Sequence, residues 1–310
     1  MNLKRNLMVF IALIALVLAS SFTALAVEED LVILHTNDIH GRIEVDDGLM
    51  GIPYISSLID QHREDHDNVL VMDAGDTVHG RPITNLLDGE STVEVMNEAG
   101  YDIMVPGNHD FNFGYERLLE LEEMMEFELV AANVEKDGEL LFDPYVIKDL
   151  GDFEVGVFGL ATPDTYNTTH PDNIEGIEFT DMSEAAEEYV SHLEAEGVDL
   201  VVALGHVGFA GDYPSDEVAA EVEGIDLFVD GHAHDRLTEG EWREGTLFVQ
   251  AYEYSKDLGR VYVDLAGDEP EFTAELISAE EGKEIVELDE NVQALLDEYS
   301  DKATEIMLGD

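Results

Sequence analysis

Short apolar runs recur along the chain at residues 31–34, 69–72, 103–105, 200–204 and 225–229, each ended by Gly or a turn-forming residue. Runs this short, rich in Val, Ile and Leu, predict strands buried on both faces, as in a parallel sheet. Amphipathic stretches at 53–64, 91–99, 115–127, 183–196 and 215–223 predict helices. Their alternation with the apolar runs predicts βαβ units rather than an all-β fold. Further strands are expected at 152–159, 246–251 and 258–265, then an extended piece at 271–279 and a last helix over 291–306. Two packed sheets with helices outside accommodate all of these.

Five polar clusters follow directly on the first set of runs: Asp38-Ile39-His40, Gly75-Asp76, Gly107-Asn108-His109-Asp110, Gly205-His206 and Gly231-His232-Ala233-His234. They therefore sit at the carboxyl ends of strands, where open α/β sheets bind ligands. Alternate residues of an extended segment share a face. That spacing predicts Asp38 and His40 on one ion, with His232 and His234 split between two adjacent ions. Asp76 can bridge two cations, and Asn108 offers a neutral oxygen. Imidazole and carboxylate without thiolate suit Mn, Zn, Fe or Co. Two such ions, about 3.5 to 4 Å apart, stabilise both the attacking and the leaving oxygen in phosphoryl transfer.

Taken singly, a His after a strand is a core or loop residue, and Gly-Asp is a turn. Five clusters in series make a shared metal site the better reading. His35, His62, His66, His79, His170 and His192 receive no site role. The i,i+4 pair His62 and His66 is assigned to an exposed acidic helix face.

The first 26 residues change the picture at one end. Lys4 and Arg5, an apolar stretch over 7–19 and Ala24-Leu25-Ala26 read as a secretory signal peptide, so the mature chain is expected to be exported to the periplasm or beyond. No later segment reaches about 18 consecutive apolar residues, so no membrane span is expected after cleavage. Cysteine is absent, which excludes disulfides and thiolate ligands. Without the leader, 12 Lys and Arg face 72 Asp and Glu, a formal charge of −60. Such a surface excludes nucleic acid, which needs a basic stripe. At about 1 M salt the Debye length falls to about 3 Å and the self-repulsion is screened, which points to a salt-loving source.

The order Asp-x-His, Gly-Asp, Gly-Asn-His-Asp, Gly-His and Gly-His-x-His resembles that of the calcineurin-like metallophosphoesterases. The segments HTNDIHGR at 35–42, DAGDTVHG at 73–80, GYDIMVPGNHDFNFG at 100–114, AANV at 131–134 and EGIDLFVDGHAH at 223–234 resemble the secreted 5′-nucleotidase and 2′,3′-cyclic phosphodiesterase branch. The resemblance covers about residues 30–265. It implies an α/β fold, a four-layer α-β-β-α sandwich of two mixed sheets flanked by helices. It implies one ion held by Asp38, His40, Asp76 and His234, and a second by Asp76, Asn108, His206 and His232. It further implies hydrolysis by in-line attack of ion-activated water on phosphorus, with His109 stabilising the phosphoryl group or protonating the leaving oxygen. Many relatives place an Asp three residues beyond this His. Here Asn112 stands there, as in cyclic-phosphodiesterase relatives, and supplies no counter-charge. Asp110 either substitutes or caps the next helix.

The domain division expected is a signal peptide at 1–26, a catalytic domain at 27–270 and an acidic extension with a helix at 271–310. That extension resembles the linker to a substrate-binding domain, which leaves room for a separate partner chain of that type. The substrate expected is a small phosphate ester, a nucleotide first, with a cyclic phosphodiester or a broad range of phosphates as alternatives. A noncatalytic metal-binding subunit is the reading from another class.

Overall fold

The computed structural model describes residues 30–267 and 269–309; the expected signal peptide lies outside the described residues. In chain order the strands are β1 Leu31–Thr36, β2 Val69–Asp73, β3 Ile103–Met104, β4 Glu128–Leu129, β5 Val134–Lys136, β6 Glu139–Leu140, β7 Tyr145–Asp149 and β8 Glu154–Ala161. Then come β9 Ile177–Phe179, β10 Leu200–His206, β11 Leu227–Val229, β12 Glu241–Arg243, β13 Thr246–Val249, β14 Asp257–Asp264 and β15 Glu271–Ser278. Sheet one runs β15-β14-β1-β2-β3-β4 and sheet two runs β12-β13-β11-β10-β8-β7. Both are mixed. In sheet one, β1 to β4 are parallel, β14 pairs antiparallel with β1, and β15 pairs antiparallel with β14; in sheet two, β8, β10, β11 and β13 are parallel and the two edges antiparallel. A small antiparallel set, β6-β5-β9, stands apart.

Strand alternation builds the layers. Leu31 and Ile33 of β1 enter a core shared with Val155, Val157, Val202, Leu204 and Val229, which lies between the sheets. Val32 and Leu34 face the other way, onto the helices Gly51–Asp65 and Glu90–Ala99. The outer face of sheet two is covered by helix Met182–Glu196, whose Ala186, Val190 and Leu193 pack with Phe158, Val201 and Phe228. This is the four-layer arrangement expected. Each fully buried Val, Leu or Phe contributes about 1.5 to 3 kcal/mol, and the three cores depend on one another because each sheet is buried on both faces.

Helix ends follow local chemistry. Asp181 caps Met182–Glu196 by accepting from Glu184 N, and Gly197 closes it at φ 88°. Helix Glu290–Leu308 starts where Asp289 accepts from Asn291 N and Val292 N. Two differences from the sequence pattern stand out. The helix expected to run through 127 spans Tyr115–Glu122, because Met124 N and Met125 N turn back on Leu121 O and the chain then extends into β4. The segment set apart as an extension supplies β15, paired along its whole length with β14 from Asp257↔Ser278 to Asp264↔Glu271, and the last helix packs Val292 and Leu296 into the core outside sheet one. Among the described residues no helix is long and apolar enough to cross a membrane.

Candidate metal centre

The carboxyl edges of the two sheets meet at one rim. Sheet one delivers Asp38 and His40 just after β1, Asp76 after β2, and Asn108 and His109 on the 3₁₀ turn Asn108–Phe113 after β3. Sheet two delivers His206 as the last residue of β10, then His232 and His234 after β11. The structure thus brings all seven expected ligands together, with His109 and Asn112 beside them.

The loops after β1 and β2 are bonded to each other: Asp38 N donates to Gly75 O at 2.9 Å and His40 N to Asp76 O at 2.8 Å. The extended backbone assumed for the Asp-x-His and His-x-His spacings is not what places these side chains. Asp38, His40, Asp76, His232 and His234 all have positive φ, between 48° and 69°. That left-handed region costs a non-glycine residue on the order of 1 kcal/mol or more, and persists only where surroundings over-determine it. Two glycines show how close the loops come. A Cβ on Gly75 would lie 2.5 Å from Gly107 N, and one on Gly231 would lie 2.6 Å from Ala74 O and 2.9 Å from His206 Nδ1.

Within the rim, lone pairs converge. Asp38, His40 and His234 form one group able to hold a cation, and Asp38, Asp76 and His206 another. Asp38 Oδ2 accepts from Asn37 Nδ2 and His232 N, while its Oδ1 is buried with no hydrogen bond. Around that orphaned oxygen stand His234 Nε2 at 3.1 Å and His40 Nε2 at 3.8 Å. Those two imidazole nitrogens face each other at 3.3 Å. Asp76 Oδ2 lies 3.6 Å from His40 Nε2 and 3.3 Å from His206 Nε2, and Asn108 Oδ1 lies 3.1 Å from His206 Nε2 and 2.9 Å from His232 Nδ1. Acceptors crowded in this way, with a buried carboxylate oxygen left unpaired, fit divalent cations and fit little else.

The remaining ring nitrogens are fixed from outside. His206 Nδ1 donates to Ala74 O at 2.6 Å, which turns Nε2 toward the rim. His234 Nδ1 meets Glu253 Oε2 at 2.7 Å, and His232 Nε2 lies 3.6 Å from Asp164 Oδ2. Carboxylates on the far nitrogen of a metal-binding imidazole set its orientation and raise its basicity. Asp164 and Glu253 escaped the sequence reading because two single acids among 72 carry no signal.

Electrostatics agrees with this division. Burial pushes His40 and His232 down to about 4, so both present lone pairs at neutral pH. Burial pulls the same way on His206, but the adjoining Asp76 carboxylate outweighs it and raises His206 to about 10. Asp76 is held below the usual carboxylate range: burial opposes ionisation, and His206, His40 and His109 favour it more strongly. In the protein alone the rim therefore keeps a proton where positive charge is wanted, the place a cation would take.

Of the two residues weighed beside His109, Asp110 is engaged with backbone. It accepts from the backbone N–H of Gly107, Asp76, Thr77 and Val78, all at 2.8 Å, and so ties the β2 and β3 loops together. Asn112 lies against His109, with Nδ2 2.8 Å from Nδ1. His79, given no role from the sequence, stands 3.2 Å from the same amide nitrogen. His62 is buried rather than on an exposed face: Nδ1 meets Leu58 O at 2.6 Å and Nε2 meets Arg260. His35 is a core residue, buried against Gly259 of the neighbouring strand.

Comparison with known proteins adds a family. A model of the calcineurin-like phosphoesterases matches residues 31–236. The chain is similar to a 5′-nucleotidase of Vibrio cholerae, 33% identical over 267 residues that make up 74% of this chain and 48% of that protein. It is likewise 34% identical to a snake venom 5′-nucleotidase of Naja atra, over 68% of this chain and 42% of that one. The chain thus spans about half the length of these curated relatives. Among solved structures, the calcineurin-like phosphoesterase YfkN of Bacillus subtilis shares the fold with a TM-score of 0.77 at 24% identity, over 89% of this chain and 98% of that one. With two sheets that meet edge to edge over converging carboxylates and imidazoles, and a family match across most of both, this chain belongs to the calcineurin-like phosphoesterases.

Proposed function

We propose that the chain is an exported dinuclear-metal enzyme that hydrolyses nucleotide phosphomonoesters. One divalent ion would be held by Asp38, His40, Asp76 and His234, and the other by Asp76, Asn108, His206 and His232. The position of Asp76 carries this reading: its Oδ2 lies 3.6 Å from His40 Nε2, assigned to the first ion, and 3.3 Å from His206 Nε2, assigned to the second, so it could serve both. When bound, such ions activate water and neutralise charge on the phosphoryl oxygens; Mn, Zn, Fe and Co all suit these donors.

The protein's own groups do the rest. Asn108 turns its Oδ1 to the rim imidazoles, so its NH2 is free to donate to a phosphoryl oxygen. His109 is engaged at Nδ1 by Asn112, which leaves Nε2 to donate to a phosphoryl or leaving-group oxygen. Asp164 and Glu253 hold His232 and His234 in register. The two relatives named 5′-nucleotidase support a nucleotide as substrate. Asn112, neutral where an acid would charge the histidine, favours a second reading as a 2′,3′-cyclic nucleotide phosphodiesterase. Export is inferred from residues 1–26, and a saline habitat from the formal charge of −58.

The test is phosphate release in high salt with Mn from AMP, 2′,3′-cyclic AMP and a sugar phosphate, beside His109→Ala. Preference for AMP supports the nucleotidase reading, and preference for the cyclic ester supports the second. Equal rates on all three make the chain a generalist phosphatase, and no metal-dependent release removes the enzyme reading.

A further inference from the structure

Beside the rim, one amide serves two imidazoles. Asn112 Nδ2 lies 2.8 Å from His109 Nδ1 and 3.2 Å from His79 Nδ1. The two rings are nearly parallel, 14° apart with centroids at 6.0 Å, and Phe113 backs His79 with its centroid at 5.2 Å. The main chain that carries this amide is held in turn, since the backbone carbonyl of Asn112 accepts from Asn173 Nδ2 at 2.7 Å.

An amide NH2 has two hydrogens, enough for one Nδ1 each. Because the same terminal atom faces both rings, their tautomers are tied: both Nδ1 atoms accept from NH2, or both would donate to an amide oxygen. A mixed pair would set lone pair against lone pair or hydrogen against hydrogen. His79 is half-buried, and burial followed by the neighbouring His109 lowers its pKa below the ordinary 6.5, so near pH 7 it is a neutral ring able to accept.

We propose that His79 is a positioning residue of this site, which acts through the Asn112 amide to hold His109 with Nδ1 accepting and Nε2–H directed to the substrate. In this way the chain fixes the histidine without a carboxylate: two acceptors on one NH2 pin the amide, and the pinned amide pins the catalytic ring. The proposal rests on the phosphoesterase reading for its kinetic consequence, but not for its geometry.

The test is a double-mutant cycle on the full chain with His79→Phe and Asn112→Ala, assayed with Mn on whichever ester is turned over fastest. Phe keeps the ring between Phe113 and His109 but has no acceptor. His79→Phe is expected to lower kcat about tenfold with KM within about twofold, and to have no further effect in the Asn112→Ala background. His79→Asn, whose Oδ1 stands two bonds from Cβ as Nδ1 does, should restore most of the loss. Full kcat in His79→Phe, or losses that multiply in the double variant, would overturn the proposal. Nitrogen-15 NMR of the histidines in metal-free protein reads the tautomers directly, with His109→Ala to assign the signal. Nδ1 of His109 should be unprotonated in the parent and move toward the tautomer average in His79→Phe; an unmoved signal counts against the proposal. If the parent lacks phosphoesterase activity, that reading falls while the nitrogen shifts still decide the role of His79.

Discussion

Sheet one and sheet two share a core but send different chemistry to the rim. From sheet one come the oxygen donors Asp38, Asp76 and Asn108, with His40 and His109; from sheet two come imidazoles only, His206, His232 and His234. The oxygen donors ride on loops bonded to each other and gathered by Asp110. The imidazoles are instead aimed by outside partners: Ala74 O takes His206 Nδ1 across the seam, Glu253 meets His234 Nδ1, and Asp164 stands by His232 Nε2. One sheet supplies charge and the other direction. Neither holds a complete donor set, so the site exists only where both are packed.

The strongest break of that division is Asp76→Asn, which keeps shape but removes the shared negative oxygen. Metal-dependent kcat/KM should fall by about a thousandfold or more, with bound metal lost in elemental analysis and the circular dichroism unchanged. Retained metal and activity would show that sheet one's charge is dispensable. A smaller change is expected from Glu253→Gln, which leaves every rim donor in place and weakens only the aim of His234. Metal affinity should drop about 10- to 100-fold in a titration, with kcat at saturating metal close to the parent.

Much of this was legible in the sequence, and the limits have physical causes. The strand-end clusters were readable because apolar runs fix where a strand stops, and five such stops leave few arrangements for the side chains that follow. The route by which Asp38 and His40 converge was not, since positive φ at a non-glycine residue is imposed by packing and leaves no local signature. Strand β15 was expected as an extended piece, but its place in sheet one was not: an acidic segment with Phe272, Ala274 and Leu276 only partly covered reads as an extension until β14 is seen beside it. His79 carried no sequence signal because its significance lies in a distance to Asn112.

Buried histidines of the two sheets differ in the same way. His206, at the rim end of β10 in sheet two, is raised, against burial, to about 10 by Asp76, whereas His35, on β1 of sheet one, is pushed by burial to about 3. Unfolded, His35 returns to the ordinary 6.5, so below that pH the unfolded chain binds a proton that the folded one refuses. Its contribution is full above pH 6.5 and is lost as pH falls, about 2 kcal/mol by roughly pH 5. His35→Leu should flatten that part of the urea-derived stability profile, and equal slopes for both proteins would refute the assignment.

The smallest effect concerns both sheets alike. Anionic substrates approach a chain of charge −58, so activity should rise a few-fold between low and about 1 M salt as repulsion is screened. A fall over that range in protein shown folded by circular dichroism would sink the saline reading.

Strand β1 also sets the order in which the molecule can assemble. It lies in the middle of sheet one, between β2 and β14, with Leu31 opposite Val263, so one side of the first strand waits for residues roughly 230 positions later. A chain made amino end first can pair β1 with β2 early, yet it keeps an open strand edge until the residues of β14 have arrived. Completion is thus delayed by topology alone, and the finished sheet appears only after β14 and β15 have been made.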